Sequence, residues 1–161
     1  MVRIAATLLC CTLMAEAAMA QAPPPPASYG ESLNLEMAKK AVAAAEAEAI
    51  RNHWTMAIAV VDVGNNLVLL QRMDQTQLGS VRLAEGKAHT SLEFRRPTRF
   101  MQDAVTGGGV GDWWLGVPGV VSLEGGVPIL VGGKVVGAVG ASGGAASQDA
   151  QTAQAGADAL K

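Results

Sequence analysis

Sulfur, imidazole and aromatic rings are all scarce in this chain of 161 residues, which holds two cysteines, two histidines, two phenylalanines, one tyrosine and three tryptophans. Both cysteines, Cys10 and Cys11, stand in an opening segment that reads as an export signal. Arg3 supplies a short positive end, Ile4 to Met14 an apolar run, and Ala18-Met19-Ala20 the small-x-small pattern at which signal peptidase cuts, with cleavage expected before Gln21. Removal of residues 1–20 takes away every thiol. That excludes disulfides, thiolate catalysis, Cys-ligated zinc, iron–sulfur clusters and covalent attachment of a c-type haem from the trimmed chain. Two histidines cannot build a His-rich catalytic metal cluster. No apolar run reaches the roughly 20 residues of a membrane helix, because Glu16 and the Pro23 to Pro26 stretch interrupt the first one. Charge is sparse at 16%, and a net charge of -2 with a pI near 5.6 leaves no basic face for nucleic acid or an anionic membrane.

What remains is half apolar and rich in glycine, a composition that excludes a disordered or collagenous chain and fits one compact domain. Residues 21–32 read as a Pro-rich tether and 33–161 as the domain. Asn34 is placed to cap a helix whose stripe is Leu35, Ala38, Val42, Ala45 and Ala49. Met56 to Val63 and Leu67 to Gln71 read as two strands joined at Gly64-Asn65-Asn66. Ser80 is expected to cap a second helix with Val81, Ala84, Ala88 and Leu92 inward, and Pro97 to open a third running to about Val105. Gly107 to Gly111 reads as a mobile loop leading to Trp113-Trp114. Three further strands are expected at Val120 to Leu123, Pro128 to Val131 and Lys134 to Ser142, then a helix from Ser147 to Leu160 capped by Ser147, Gln148 and Asp149. Hairpins joining most strands make the sheet mainly antiparallel, and the domain α+β.

Several motifs tempt a chemical reading. Gly140-Ala141-Ser142-Gly143-Gly144 matches the nucleophile elbow of hydrolases, but no histidine follows Ser142 to act as its base, so the glycines read as a sharp turn into the last helix. That turn also aims N–H groups at one spot where an anion could bind. Glu85, His89 and Glu93 share one helical stripe, a pattern commoner as a solvated face than as a metal site. His53 stands at the end of the first helix, where an imidazolium suits the dipole and where a porphyrin iron could also be ligated. Asp62, Asp74, Glu124 and Asp149 border turns, where carboxylates serve backbone N–H groups. Lys87, Arg95, Arg96 and Arg99 form the one concentration of positive charge, suited to carboxylates such as haem propionates or a small organic acid.

Ile58-Ala59-Val60-Val61-Asp62-Val63-Gly64, Arg72-Met73-Asp74, Lys87-Ala88-His89-Thr90, Arg96-Pro97-Thr98, Leu123-Glu124-Gly125-Gly126-Val127-Pro128-Ile129 and Gly137 to Gly144 with Gln148-Asp149 follow one another in an order that resembles the GlcG/HbpS family from about Leu33 to Leu160. The resemblance implies a profilin-like or PAS-like α+β domain with a five-stranded antiparallel sheet. It also implies non-covalent haem binding in a periplasmic or secreted, homo-oligomeric protein. The resemblance assigns no ligand residue by residue; by their own chemistry His89, His53, Lys87, Arg95, Arg96 and Thr98 are the cofactor-binding candidates, with His89 first as ligand to the haem iron. The sequence departs from the family pattern at Asn65-Asn66, where glycine is common, and at His89, where Arg or Tyr is often found. Two rival expectations stand beside haem binding: an accessory or enzyme for small hydroxy or keto acids in which Glu124 moves a proton, and a structural module whose Ala-rich helices and Trp113-Trp114 serve assembly.

Overall fold

The computed structural model describes residues 25–161. The export-type segment with Cys10 and Cys11 lies outside them. Helix α1 spans Leu35–Arg51 and begins as expected at Asn34, whose Oδ1 accepts the Met37 N–H at 3.0 Å. Its inward stripe is Ala38, Ala41, Val42, Ala45 and Ala49, whereas Leu35, assigned to that stripe from spacing, is 48% exposed. Strands β1 (Ala57–Asp62) and β2 (Leu67–Arg72) form the expected hairpin. Asn65 takes φ 64° at its turn, and Asp62 Oδ1 accepts the Asn66 N–H. An asparagine tolerates that left-handed position, so no glycine is needed there.

Helix α2 (Gly79–Phe94) starts without a side-chain cap. Ser80, expected to cap it, is fully buried, and its hydroxyl has no hydrogen-bond partner among the described residues. The side chain is turned into the core, away from the helix mouth. Helix α3 (Arg99–Gly107) follows Pro97, whose carbonyl accepts the first turn's Phe100 N–H. Gly108 and Gly109, at φ +69° and +66°, then fold the chain back into a 3-10 helix over Gly109–Gly116, where a mobile loop was expected. Glycine acts here through close packing, since a Cβ on Gly111 would stand 2.0 Å from the Ala104 carbonyl.

The sheet has four strands among the described residues, in the order β2-β1-β4-β3 and antiparallel throughout, with β3 at Gly126–Val131 and β4 at Lys134–Ser142. This corrects the five-stranded expectation. Val120 to Leu123 forms no ladder, because side chains satisfy this region: Thr90 Oγ1 takes the Val121 N–H and Gln102 Oε1 the Glu124 N–H. Helix α4 (Ala146–Asp158) closes the chain; Asp149 Oδ1 and Gln148 Oε1 in its first turn accept the Gly144 and Ala145 N–H groups just ahead of it, and Ser147 does not cap it.

Strand β1 explains the layering. Met56, Ile58 and Val60 face a core shared with α1 and α4, while Ala57, Ala59 and Val61 face α2, so alternation buries both sides. A Cβ on Gly140 of β4 would lie 2.0 Å from the Ala84 carbonyl, so the missing side chain lets the α2 backbone rest directly on the sheet. No helix among the described residues is long and apolar enough to cross a membrane.

Candidate functional site

The link between α2 and α3, the outer strand β3 and the arm preceding α1 meet around an open cleft of about 360 Å³. Its walls are apolar: Pro25, Pro26 and Ala27 from the arm, Phe100 from α3, and Val127, Pro128 and Leu130 from β3. Arg95 and Arg96 bring positive charge to the same cleft. Arg95 is the C-cap of α2 in the left-handed conformation, φ 52°. Its guanidinium lies 5.1 Å from the Tyr29 ring centre and donates through Nη1 to the Ala27 carbonyl at 3.2 Å. Arg96 lies 4.5 Å over the Phe100 ring, and its backbone is held both ways by Ser91. Each guanidinium is therefore oriented by an aromatic face, which lowers the entropy lost when it pairs with a carboxylate.

The other four members of the expected site, Thr98, Lys87, His53 and His89, lie elsewhere. Thr98 is fully buried, taking the Gly126 N–H on its Oγ1 and giving its own N–H to the Gly126 carbonyl, so it fastens the start of α3 to β3. Lys87 is also withdrawn from solvent. Its side chain is 2% exposed, and Nζ donates to Asp149 Oδ2 at 2.6 Å and to the Ala141 carbonyl at 3.2 Å. A lysine so engaged is not free to meet a propionate, which corrects its grouping with the arginines. His53 is exposed, at φ 58° just past α1, on the α1/α4 side of the sheet and thus opposite α2.

Around Lys87 the glycine-rich motifs converge. A Cβ on Gly125, which has φ +127°, would stand 2.8 Å from Lys87 Nζ, from Asp149 Cβ and from the Ala141 carbonyl. Asp149 Oδ1 accepts the Gly144 N–H at 2.9 Å. Burial pushes the Asp149 carboxyl above its ordinary pKa, against the pull of the Lys87 ammonium and the Gly144 N–H. The stretch at Gly140 to Gly144 thus receives an internal carboxylate in place of an external anion, and Ser142 is a buried strand residue. Spacing carried one unused signal for this pair. Lys87 stands three residues from Ala84 and four from Ser91, on the buried stripe of α2, and a lysine on such a stripe calls for an internal partner.

His89 lies on α2, half-buried, with Nδ1 2.8 Å from Asn65 Oδ1, while Asn65 Nδ2 donates to Glu93 Oε1. When Nδ1 carries the proton, Nε2 keeps a lone pair for a metal. Neither histidine lines the cleft. No cluster of three metal-ligating side chains occurs among the described residues, so Glu85, His89 and Glu93 do not form one. Glu124 is tied to Arg99, which also holds Asp103, and this leaves the carboxylate engaged in an ion pair and not poised beside a proton acceptor. A second, apolar hollow lies between α3, Leu115 and the Val120 to Leu123 segment. Nearby Val110, Trp113 and Leu115 are 91%, 57% and 68% exposed.

Comparison with known proteins places these features in a family context. The family model described as "Haem degrading protein HbpS-like" matches residues 33–158. Protein GlcG of Escherichia coli K12 is 40% identical over 110 residues, covering 68% of this chain and 81% of GlcG. The crystal structure of a double mutant of Streptomyces reticuli HbpS superposes with a TM-score of 0.75 at 30% identity, covering 88% of this chain and 99% of that one. A crystal structure of a PduOC:heme complex superposes with a TM-score of 0.72 at 26% identity, covering 81% and 96%.

Proposed function

The chain belongs to the HbpS-like family, and from that membership we propose that it binds haem non-covalently in the cleft between the α2–α3 link, β3 and the arm. One observation carries the reading: apolar walls and two ring-oriented arginines meet in one cleft. Haem asks for that combination, since its porphyrin face is apolar and its two propionates are anionic. Arg95 and Arg96 pair with the propionates, while Phe100, Val127 and Leu130 cover the macrocycle. His89 is the first candidate for the iron and His53 the second. Because neither lines the cleft of its own copy, haem in this reading sits between copies, with the arginines of one facing the imidazole of another. The exposed Val110, Trp113 and Leu115 supply apolar surface for such an assembly. The opening segment marks the protein for export, so it acts in the periplasm or outside the cell, and the amino terminus of the exported form is Gln21.

Hemin titration of the full chain, followed at the Soret band, tests the proposal. Wild type shifts the band at micromolar hemin. Arg95→Gln/Arg96→Gln weakens binding about tenfold to a hundredfold, the loss of one or two charge-assisted hydrogen bonds. His89→Ala changes the spectrum if His89 holds the iron, and an unchanged spectrum in both His89→Ala and His53→Ala removes histidine ligation. A wild-type chain that leaves hemin free at micromolar concentration overturns the reading.

A further inference from the structure

We propose that Glu93, acting through Asn65, is a positioning residue that holds His89 as its Nδ1–H tautomer and so keeps the Nε2 lone pair ready for iron. The inference rests on His89 as the first candidate for the haem iron and adds what prepares its ring.

A neutral imidazole holds a metal only through the nitrogen that lacks a proton, so the tautomer decides which atom is on offer. His89 and Glu93 stand four residues apart on α2 and share one side of the helix. Asn65, at φ 64° in the β1–β2 turn, brings its amide between them. Its Oδ1 lies 2.8 Å from His89 Nδ1, and its Nδ2 donates to Glu93 Oε1 at 2.7 Å.

Each link in this chain has one permitted direction. An ionised carboxylate only accepts hydrogen bonds, so Glu93 takes the NH2 end of the amide. The carbonyl end is then left facing the imidazole, and because a carbonyl also only accepts, Nδ1 has to carry the proton. Turning the amide over would set its oxygen against the carboxylate oxygen with no hydrogen between them. Among the described residues no ion pair draws the Glu93 carboxylate away. His89 Nε2 has no hydrogen-bond partner among them and is not enclosed. The Glu93 backbone is secured separately, since its carbonyl accepts the Tyr29 hydroxyl at 3.2 Å, so a change of side chain leaves the helix end in place. His53, the chain's other histidine, is exposed and makes no side-chain hydrogen bond among the described residues. Its ring therefore follows the preference of free histidine, with the proton more often on Nε2, and serves as an internal reference.

The test reads the tautomers directly, without haem, from long-range proton–nitrogen correlation spectra of the full chain carrying 15N-histidine, at about pH 8.5, above the ordinary histidine pKa of about 6.5. Wild type should show His89 protonated on Nδ1 and His53 mostly on Nε2. Glu93→Gln, whose own amide presents either end to Asn65, should move the His89 tautomer ratio toward Nε2–H about threefold to tenfold, the worth of one hydrogen bond, and leave His53 unmoved. In an Asn65→Gly background the same change should do nothing further, because the link is already cut. A wild-type His89 protonated mainly on Nε2, a ratio that Glu93→Gln leaves alone, or an equal shift with and without Asn65 overturns the proposal. Hemin titration of Glu93→Gln at the Soret band should show a matching loss of affinity, about threefold to tenfold. A tautomer that shifts while hemin affinity stays at the wild-type value overturns His89 as the iron's ligand and leaves the relay standing, whereas hemin binding that needs His89 with a tautomer indifferent to Glu93 overturns the relay alone.

Discussion

Cutting the Lys87–Asp149 pair from either side should cost unequal amounts. In Asp149→Ala the ammonium of Lys87 stays buried with the Ala141 carbonyl as its remaining acceptor, and the Gly144 N–H loses its partner. Stranding a buried charge costs about 3–5 kcal/mol and the orphaned N–H about 1 more, a large part of the roughly 5–15 kcal/mol that holds a domain together. In Lys87→Met the stranded group is a carboxyl that keeps the Gly144 N–H and that burial already pushes toward protonation, so the cost falls to about 2–3 kcal/mol. The pH dependence follows. A carboxyl with its folded pKa raised holds its proton more tightly folded than unfolded, so its favourable contribution is complete below the unfolded value of about 4 and is lost as pH rises through the folded value. Without the ammonium that pulls it down, the folded value in Lys87→Met rises further, and the gap to wild type should narrow as pH falls through that raised folded value toward the unfolded value of about 4. Urea denaturation followed by far-ultraviolet circular dichroism gives the free energies, and Lys87→Met/Asp149→Ala closes the cycle, with a coupling of about 2 kcal/mol or more. Single variants that each cost under about 1 kcal/mol, or effects that simply add, would refute the argument.

Gly125→Ala forces a methyl onto Lys87, Asp149 and the Ala141 carbonyl at φ +127°, and should cost about 3 kcal/mol. Gly132→Ala, at φ +56° with open space around it, should cost about 1 kcal/mol; equal melting temperatures for the two variants would contradict the packing account. Asn65→Gly keeps the left-handed turn while freeing His89 Nδ1, and if His89 binds the iron it should weaken hemin binding about tenfold, read from Soret titrations beside wild type. Trp113→Ser/Leu115→Ser removes exposed apolar surface and should lower the sedimentation coefficient of any assembly built on that face; an unchanged coefficient excludes the face as an interface.

Residue spacing alone was enough to specify much of the frame. The alanine stripe of α1, the β1–β2 hairpin, the Gly132-Gly133 turn and the last helix are local objects, fixed by periodicity and turn chemistry within about a dozen residues. Elements failed where a distant side chain replaced a local rule. Val120 to Leu123 has the composition of a strand, but Thr90 and Gln102 engage backbone N–H groups in and beside it, and it joins no ladder. Ser80 has the type of a cap, but the core takes its side chain. The site divided in the same way. Arg95 and Arg96 were legible as a concentration of positive charge because they are adjacent in sequence, and the fold leaves both of them at the cleft. Lys87 looked like their companion until Asp149, 62 residues later, turned it inward. Sequence determines which side chains carry charge and which backbone positions can turn. Only the tertiary structure decides which charges meet each other and which are left for a ligand, because that depends on distances across the sheet that no local pattern encodes.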